Sequence, residues 1–248
     1  MNRDETPKID ILDMTFTIPF RNCDDRLRHL ITTVTNITDR FNTNILIGEL
    51  SGQETVELRR FCRLNNCGYV HFKSDEPYFH RTKLLNDLAR ITTTPFIANL
   101  DADVAMETIA IIEGLDCLRE TNYDVVIPYN GTVINIINKT TSHITSKDAC
   151  GGAVFWKKEQ FFRFGMENEH FIDWGFEDNE RLSRAKKLGL SIRKLHLYKL
   201  YHLHHRKSEK HDTPMMLEYQ RLNKIELKKI VNMEKEDLIK YIKTWKWL

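Results

Sequence analysis

Two carboxylates close an apolar run at Phe96-Ile97-Ala98-Asn99-Leu100-Asp101-Ala102-Asp103-Val104. A strand's period of two puts Asp101 and Asp103 on one face, where the strand leaves its sheet. In open α/β sheets that carboxyl edge is where ligands collect. Paired carboxylates repel each other unless a proton or a hard cation lies between them. Mg²⁺ or Mn²⁺ shared with a substrate diphosphate relieves the repulsion, since such ions bind through few carboxylates plus phosphate oxygens. A solvated turn after a buried strand is the plainer alternative.

Further along, Cys150-Gly151-Gly152-Ala153-Val154-Phe155-Trp156 reads as a strand whose paired glycines let a ligand approach the backbone; a turn or bulge is the alternative. Trp174-Gly175-Phe176-Glu177-Asp178 opens a helix. An aromatic ring beside two carboxylates suits a sugar face and its hydroxyls, although carboxylates in a first turn are also ordinary dipole partners. His202-Leu203-His204-His205-Arg206 offers imidazoles for a metal or a solvated basic surface.

The elements that must position these groups alternate. Strands are expected at 14–19, 44–50, 68–73 and 96–104. Helices between them carry the stripes Leu27, Leu30, Ile31, Val34, Ile37 (capped by Asp24 or Asp25) and Leu84, Leu85, Leu88, Ile91. Strand–helix alternation of this length implies parallel pairing through crossovers. The second half is less regular. It has a helix at 107–119, a strand at 123–129, a loop or weak hairpin at 130–148, helices at 158–164 and to about Leu188, and one or two strands at 191–203. From Pro214 the chain reads as helical.

Charge is nearly balanced in the 248 residues, 37 basic against 35 acidic, which gives no support for a bulk nucleic-acid binder. No apolar run reaches membrane-spanning length and the first residues are polar, so neither a span nor a signal peptide is expected. The five cysteines are odd in number and irregularly spaced, which suggests reduced thiols in a cytosolic protein.

Taken in order, these stretches resemble the metal-dependent inverting glycosyltransferases of GT-A fold. The likeness is greatest to the β-1,4-galactosyltransferase family and its bacterial relatives, including chondroitin-polymerase-like and family 2 enzymes. Ile18-Pro19-Phe20-Arg21-Asn22 looks like the opening nucleotide-binding motif, and Phe79-His80-Arg81-Thr82-Lys83-Leu84-Leu85-Asn86 like the second. Asp101-Ala102-Asp103 looks like the metal motif, Gly151-Gly152 with Trp174 to Asp178 like the sugar- and acceptor-binding block, and His204 falls at the histidine ligand. The resemblance covers roughly residues 14–206. It implies an α/β GT-A fold with a mostly parallel central sheet flanked by helices. Residues 1–213 would form the transferase domain, with a nucleotide-binding half to about 104 and an acceptor-binding half after it, and 214–248 a helical extension.

By the same resemblance Pro19, Arg21, Glu49, Phe79, Arg81, Lys83, Asp101, Gly151, Gly152 and Trp174 bind the UDP-sugar donor or the acceptor. Asp103 is the metal's carboxylate ligand, Asp101 lies at or beside it, and His204 or its neighbour His202 completes the site. Asp178 is the general base and Glu177 grips the acceptor. Cys23 stands where the family usually has a second Arg, and Phe176 replaces a Gly. The implied reaction moves a hexose or N-acetylhexosamine from a UDP-sugar to a saccharide, or lipid-linked saccharide, acceptor with Mn²⁺ or Mg²⁺. In the family resembled, the residue two before the glycine pair helps decide what fits beside the sugar's C2; Ala149 at that place implies room for an N-acetyl group, with UDP-GalNAc before UDP-GlcNAc preferred over UDP-galactose.

Asp101-x-Asp103 also fits the nucleophile motif of haloacid-dehalogenase-like phosphohydrolases, which normally opens its domain and here does not. A catalytically inactive sugar-binding or scaffold member is the other alternative. The C-terminal Lys243, Trp245, Lys246 and Trp247 fit either a helical pair packed back on the domain or a weak peripheral contact at the inner membrane face.

Overall fold

The computed structural model describes residues 7–23, 25–120, 122–138, 141–205 and 213–248. Strands β1 (Ile9–Phe20), β2 (Phe41–Ser51), β3 (Gly68–Lys73) and β4 (Phe96–Leu100) alternate with helices α1 (Arg26–Thr38), α2 (Val56–Leu64) and α3 (Arg81–Ile91). They pair in parallel, as the alternation predicts, and in the order β4-β1-β2-β3. The inner half of β1 is buried on both faces, the pattern of a central parallel strand. Its Thr17 stays satisfied by donating to Asn99 Oδ1 at 2.7 Å. Gly48 matters for the crossover: a Cβ there would meet Leu88 Cδ2 at 2.9 Å, so its absence lets α3 lie close over β2. Of the two expected caps of α1, Asp24 lies outside the described residues and Asp25 makes no side-chain cap bond.

After β4 come β5 (Val104–Ala105), α4 (Thr108–Glu120), β6 (Val125–Ile127), β7 (Val133–Ile136) and β8 (Ser142–Ser146). Then follow β9 (Ala153–Lys157), α5 (Lys158–Arg163), α6 (Glu177–Leu188), β10 (Ile192–Lys194) and β11 (Leu200–Leu203). The large sheet runs β10-β6-β9-β4-β1-β2-β3, and β9 is antiparallel to both β4 and β6. The expected strand at 96–104 is broken, because β4 stops at Leu100 and the chain turns before β5. The Thr33 hydroxyl of α1 fixes that turn by donating to the carbonyls of Ala102 and Val104 at 3.1 and 2.9 Å. The polar stretch 130–148 contains the hairpin β7–β8. It joins a second, small sheet in the order β5-β11-β7-β8.

Helices α7 (Pro214–Asn232) and α8 (Lys235–Ile242) close the chain. Trp245 is buried with Ile230, Leu238 and Ile242, and half-buried Trp247 stacks on it with centroids 4.8 Å apart. The Arg184 guanidinium lies 3.7 Å from the Phe164 ring centre and 4.9 Å from that of Trp245. The tryptophan pair therefore packs inward, as a helical pair folded back on the domain would, and the alternative of a membrane contact is not supported. No helix among the described residues is long and apolar enough to cross a membrane. All five cysteines are free thiols.

Candidate functional site

Asp103 is 3% exposed, at the turn between β4 and β5. Strand β11 runs beside that turn, pairing His202 with Val104 and bonding Leu203 N–H to the Asp103 carbonyl at 2.7 Å. This brings His202 Nε2 to 3.6 Å from Asp103 Oδ1 and His205 Nε2 to 3.2 Å from Oδ2. One ligand atom from each of Asp103, His202 and His205 lies within 4.8 Å of the others. Burial works to raise the Asp103 carboxyl, but the bond from His205 and the charges of His202 and Arg26 outweigh it and hold it below the usual range. Burial lowers His202, favouring the neutral ring that a metal needs.

Asn135 of β7 orients this group. Its Oδ1 accepts from His202 Nδ1 at 3.0 Å, which leaves the Nε2 lone pair facing Asp103. Its Nδ2 donates to His204 Nδ1 at 3.0 Å. Of the two histidines expected at the metal, His202 lies in the Asp103 cluster, whereas His204 is exposed and outside it; the cluster's second imidazole is His205. The cause is geometric: β11 ends at Leu203, and beyond it strand alternation no longer says which imidazole turns inward.

Asp101 also departs from expectation. Two residues apart on a strand would share a face, but the strand has already ended, so the carboxylates diverge. Asp101 Oδ1 accepts from Arg81 Nε and Nη2 at 2.9 and 2.6 Å. Arg81 Nη1 lies 3.9 Å from Asp178 Oδ1, so one guanidinium links the Asp101–Asp103 turn to the start of α6. Asp178 Oδ1 also accepts from Arg181 Nη1 at 2.7 Å, and Arg181 Nε donates to both oxygens of Glu167. Burial tends to raise the Asp178 carboxyl, but Arg181 and Arg81 hold it below its ordinary value. Glu177 goes the other way: burial first, then the Asp178 charge, push it up to about 7. Its Oε2 accepts from Gly175 N–H at 2.8 Å.

The glycine pair precedes β9 rather than lying in it. A Cβ on Gly151 would fall 1.7 Å from Asp178 Oδ2, so this glycine lets the base candidate reach the sheet edge. Gly152 accepts from Asp101 N–H at 2.9 Å. Before α6, Asp173, Gly175 and Phe176 all have positive φ, and for Asp173 and Phe176 that is a strained conformation. Trp174, on this loop, is 64% exposed.

The other nucleotide candidates divide. Pro19 is buried and paired with Gly48 at the carboxyl end of β1. Arg21 follows it and donates to the carbonyls of Glu76 and Pro77, tying the loop before α3 to the same edge. Phe79 packs against Leu84 and Leu88. Glu49 is not at a ligand's disposal. Fully buried, it accepts from Thr55 N–H and Oγ1, Ser51 Oγ and Tyr69 OH, and so holds the start of α2. Lys83 lies two residues from Arg81, about 200° round the helix, and pairs with Asp87 at 2.6 Å on the exposed side. Arg26, Asn135 and Arg181 are not marked out by any motif in the sequence, and His205 figures there only as one imidazole of the 202–205 cluster. Arg181 had a readable signal, three residues after Asp178 on the same helix.

Residues 131–206 match the family model described as the N-terminal domain of galactosyltransferase. Among solved structures, GalNAc-T7 with UDP, GalNAc and Mn²⁺ superposes with a TM-score of 0.64 at 14% identity, covering 93% of this chain and 54% of that one. A Staphylococcus aureus TarS fragment with UDP-GlcNAc gives 0.61 at 11%, covering 92% and 70%. The Pyrobaculum calidifontis mannosyltransferase PcManGT, with GDP-Man and Mn²⁺, gives 0.56 at 12%, covering 83% and 60%. The chain thus spans little more than half of GalNAc-T7. No curated protein sequence matches it.

Proposed function

From the GT-A glycosyltransferase fold of this chain, we propose that it transfers a hexose or N-acetylhexosamine from a UDP-sugar to a saccharide acceptor, with inversion. The observation that carries the reading is the Asp103, His202, His205 cluster at the carboxyl edge of β4. A carboxylate with two imidazoles fits Mn²⁺ better than Mg²⁺, which prefers oxygen. Bound there, the cation would offset the charge that develops on the departing diphosphate.

The chain's own residues supply the rest. Pro19 and Arg21 stand at the carboxyl edge of β1, on the nucleotide side. Asp178 takes the proton of the acceptor hydroxyl as its oxygen bonds the anomeric carbon and the bond to the diphosphate breaks, releasing UDP. An ionised carboxylate is what that step needs, and the two guanidiniums keep Asp178 ionised. Glu177 holds a second acceptor hydroxyl, and Trp174 offers its exposed ring to a sugar face. GalNAc-T7 and TarS were solved with donors or sugars of the N-acetylhexosamine class, in keeping with UDP-GalNAc as the preferred donor beside Ala149. The haloacid-dehalogenase-like alternative is not favoured, because Asp101, its would-be nucleophile, is clamped by Arg81.

UDP release from UDP-GalNAc, UDP-GlcNAc and UDP-galactose, with Mn²⁺ or with EDTA, tests the reading against hydrolysis of a generic phosphomonoester. Metal-dependent UDP release, greatest with UDP-GalNAc and shifted toward UDP-galactose by Ala149→Tyr, is expected. Phosphomonoester turnover without UDP release would overturn it.

A further inference from the structure

Arg26, the first residue of α1, brings a permanent positive charge into the metal cluster. Its Nη1 donates to Asp103 Oδ2 at 3.2 Å, the same oxygen that His205 Nε2 faces at 3.2 Å. Its Nη2 lies 3.3 Å from that imidazole nitrogen. The guanidinium cannot be deprotonated in a protein, and its side chain is 30% exposed, so it also borders solvent. A divalent cation held by Asp103, His202 and His205 would share Asp103 with a like charge a few ångströms away. Inside a largely buried site such repulsion is only partly screened. A diphosphate reverses the balance, since its negative charge attracts the guanidinium and the metal together.

We propose that Arg26 makes metal binding conditional on the diphosphate: it disfavours the cation alone and joins it in gripping the anion. The identity of the anion rests on the donor reading above; the metal alone does not. The consequence is coupled loading, in which metal and nucleotide each tighten the binding of the other. A merely structural Arg26, holding Asp103 in place, would make the opposite difference, because its loss would weaken the cation with or without the nucleotide.

The test is Mn²⁺ binding by titration calorimetry on the full chain, with and without saturating UDP, for wild type, Arg26→Gln, Arg26→Lys and Asp103→Asn. Arg26→Gln should bind Mn²⁺ alone several-fold more tightly than wild type and lose on the order of tenfold of the tightening that UDP produces, within the usual range of coupling between ligands. Arg26→Lys, which keeps the charge, should retain most of that coupling and controls for folding. Weaker Mn²⁺ binding by Arg26→Gln in both conditions, or unchanged coupling, would overturn the proposal while the metal site stands, provided Asp103→Asn loses Mn²⁺. If Asp103→Asn binds like wild type, or wild type binds no Mn²⁺ even with UDP, site and proposal fall together.

Discussion

Asp103 and Asp178 each stand at the end of a secondary element, but different neighbours surround them. Around Asp103 are two imidazoles, which can share the carboxylate with a cation, and one guanidinium, which competes with it. Around Asp178 are the guanidiniums of Arg181 and Arg81, with Glu177 beside it pushed toward neutrality. The first centre is built by strands meeting at a turn, with β5, β11 and β7 in register. The second hangs on a strained loop and a buried ionic network that continues through Glu167. In the proposed function one carboxylate holds a metal and the other accepts a proton, and it is their neighbours that distinguish the two.

Removing the first centre should cost most. Asp103→Asn keeps the shape but not the charge, and metal-supported UDP release should fall by more than about 10³-fold with the melting profile retained. Near-normal turnover insensitive to EDTA would break the contrast at its first term. Asp178→Asn should lower kcat by about 10²–10⁴ while UDP affinity changes little. A comparable loss in Glu177→Gln and none in Asp178→Asn would exchange the two roles.

Asn135 sharpens the comparison on the metal side. Asn135→Ala removes the bond that orients His202 and should weaken Mn²⁺ by about 10–100-fold, the usual worth of such outer partners. Unchanged affinity would mean that strand pairing alone aims the imidazole. The smallest effect concerns stability on the acceptor side. Glu177 has a folded pKa raised from 4.5 to about 7, so it contributes stability below about pH 4.5 that is lost as pH rises through about 7. Glu177→Gln has no such titration. Chemical denaturation of both proteins across that window should show wild type losing stability relative to the variant as pH rises, and parallel curves would contradict the assignment.

Much of this arrangement was legible in the chain. The apolar runs and helix stripes of the first half gave parallel β1 to β4, because buried parallel strands and amphipathic helices have distinct periods. Asp103 was visible at the end of one such run, and the glycine pair at the start of the apolar run that becomes β9. Periodicity failed where elements end. It put Asp101 and Asp103 on one face although β4 stops at Leu100, and past the end of β11 at Leu203 it offered no check on His204, which the resemblance alone had pointed to. Lys83 was grouped with Arg81 by motif, although helix geometry turns the two to different sides. Glu49 was grouped with the donor-binding residues, and its partners Thr55 and Tyr69, which come from outside β2, are not visible in any local pattern. The Arg181–Glu167 pair joins residues from a helix and a loop, contacts that no local pattern records.

The choice between His205 and His204 tests the central claim most directly, since the two are adjacent in sequence and only one enters the Asp103 cluster. Mn²⁺ affinity should be measured in the presence of UDP for His205→Ala and His204→Ala side by side. A loss of at least about tenfold in His205→Ala, with His204→Ala close to wild type, is the expected result. The reverse, with Mn²⁺ lost in His204→Ala and kept in His205→Ala, would contradict it.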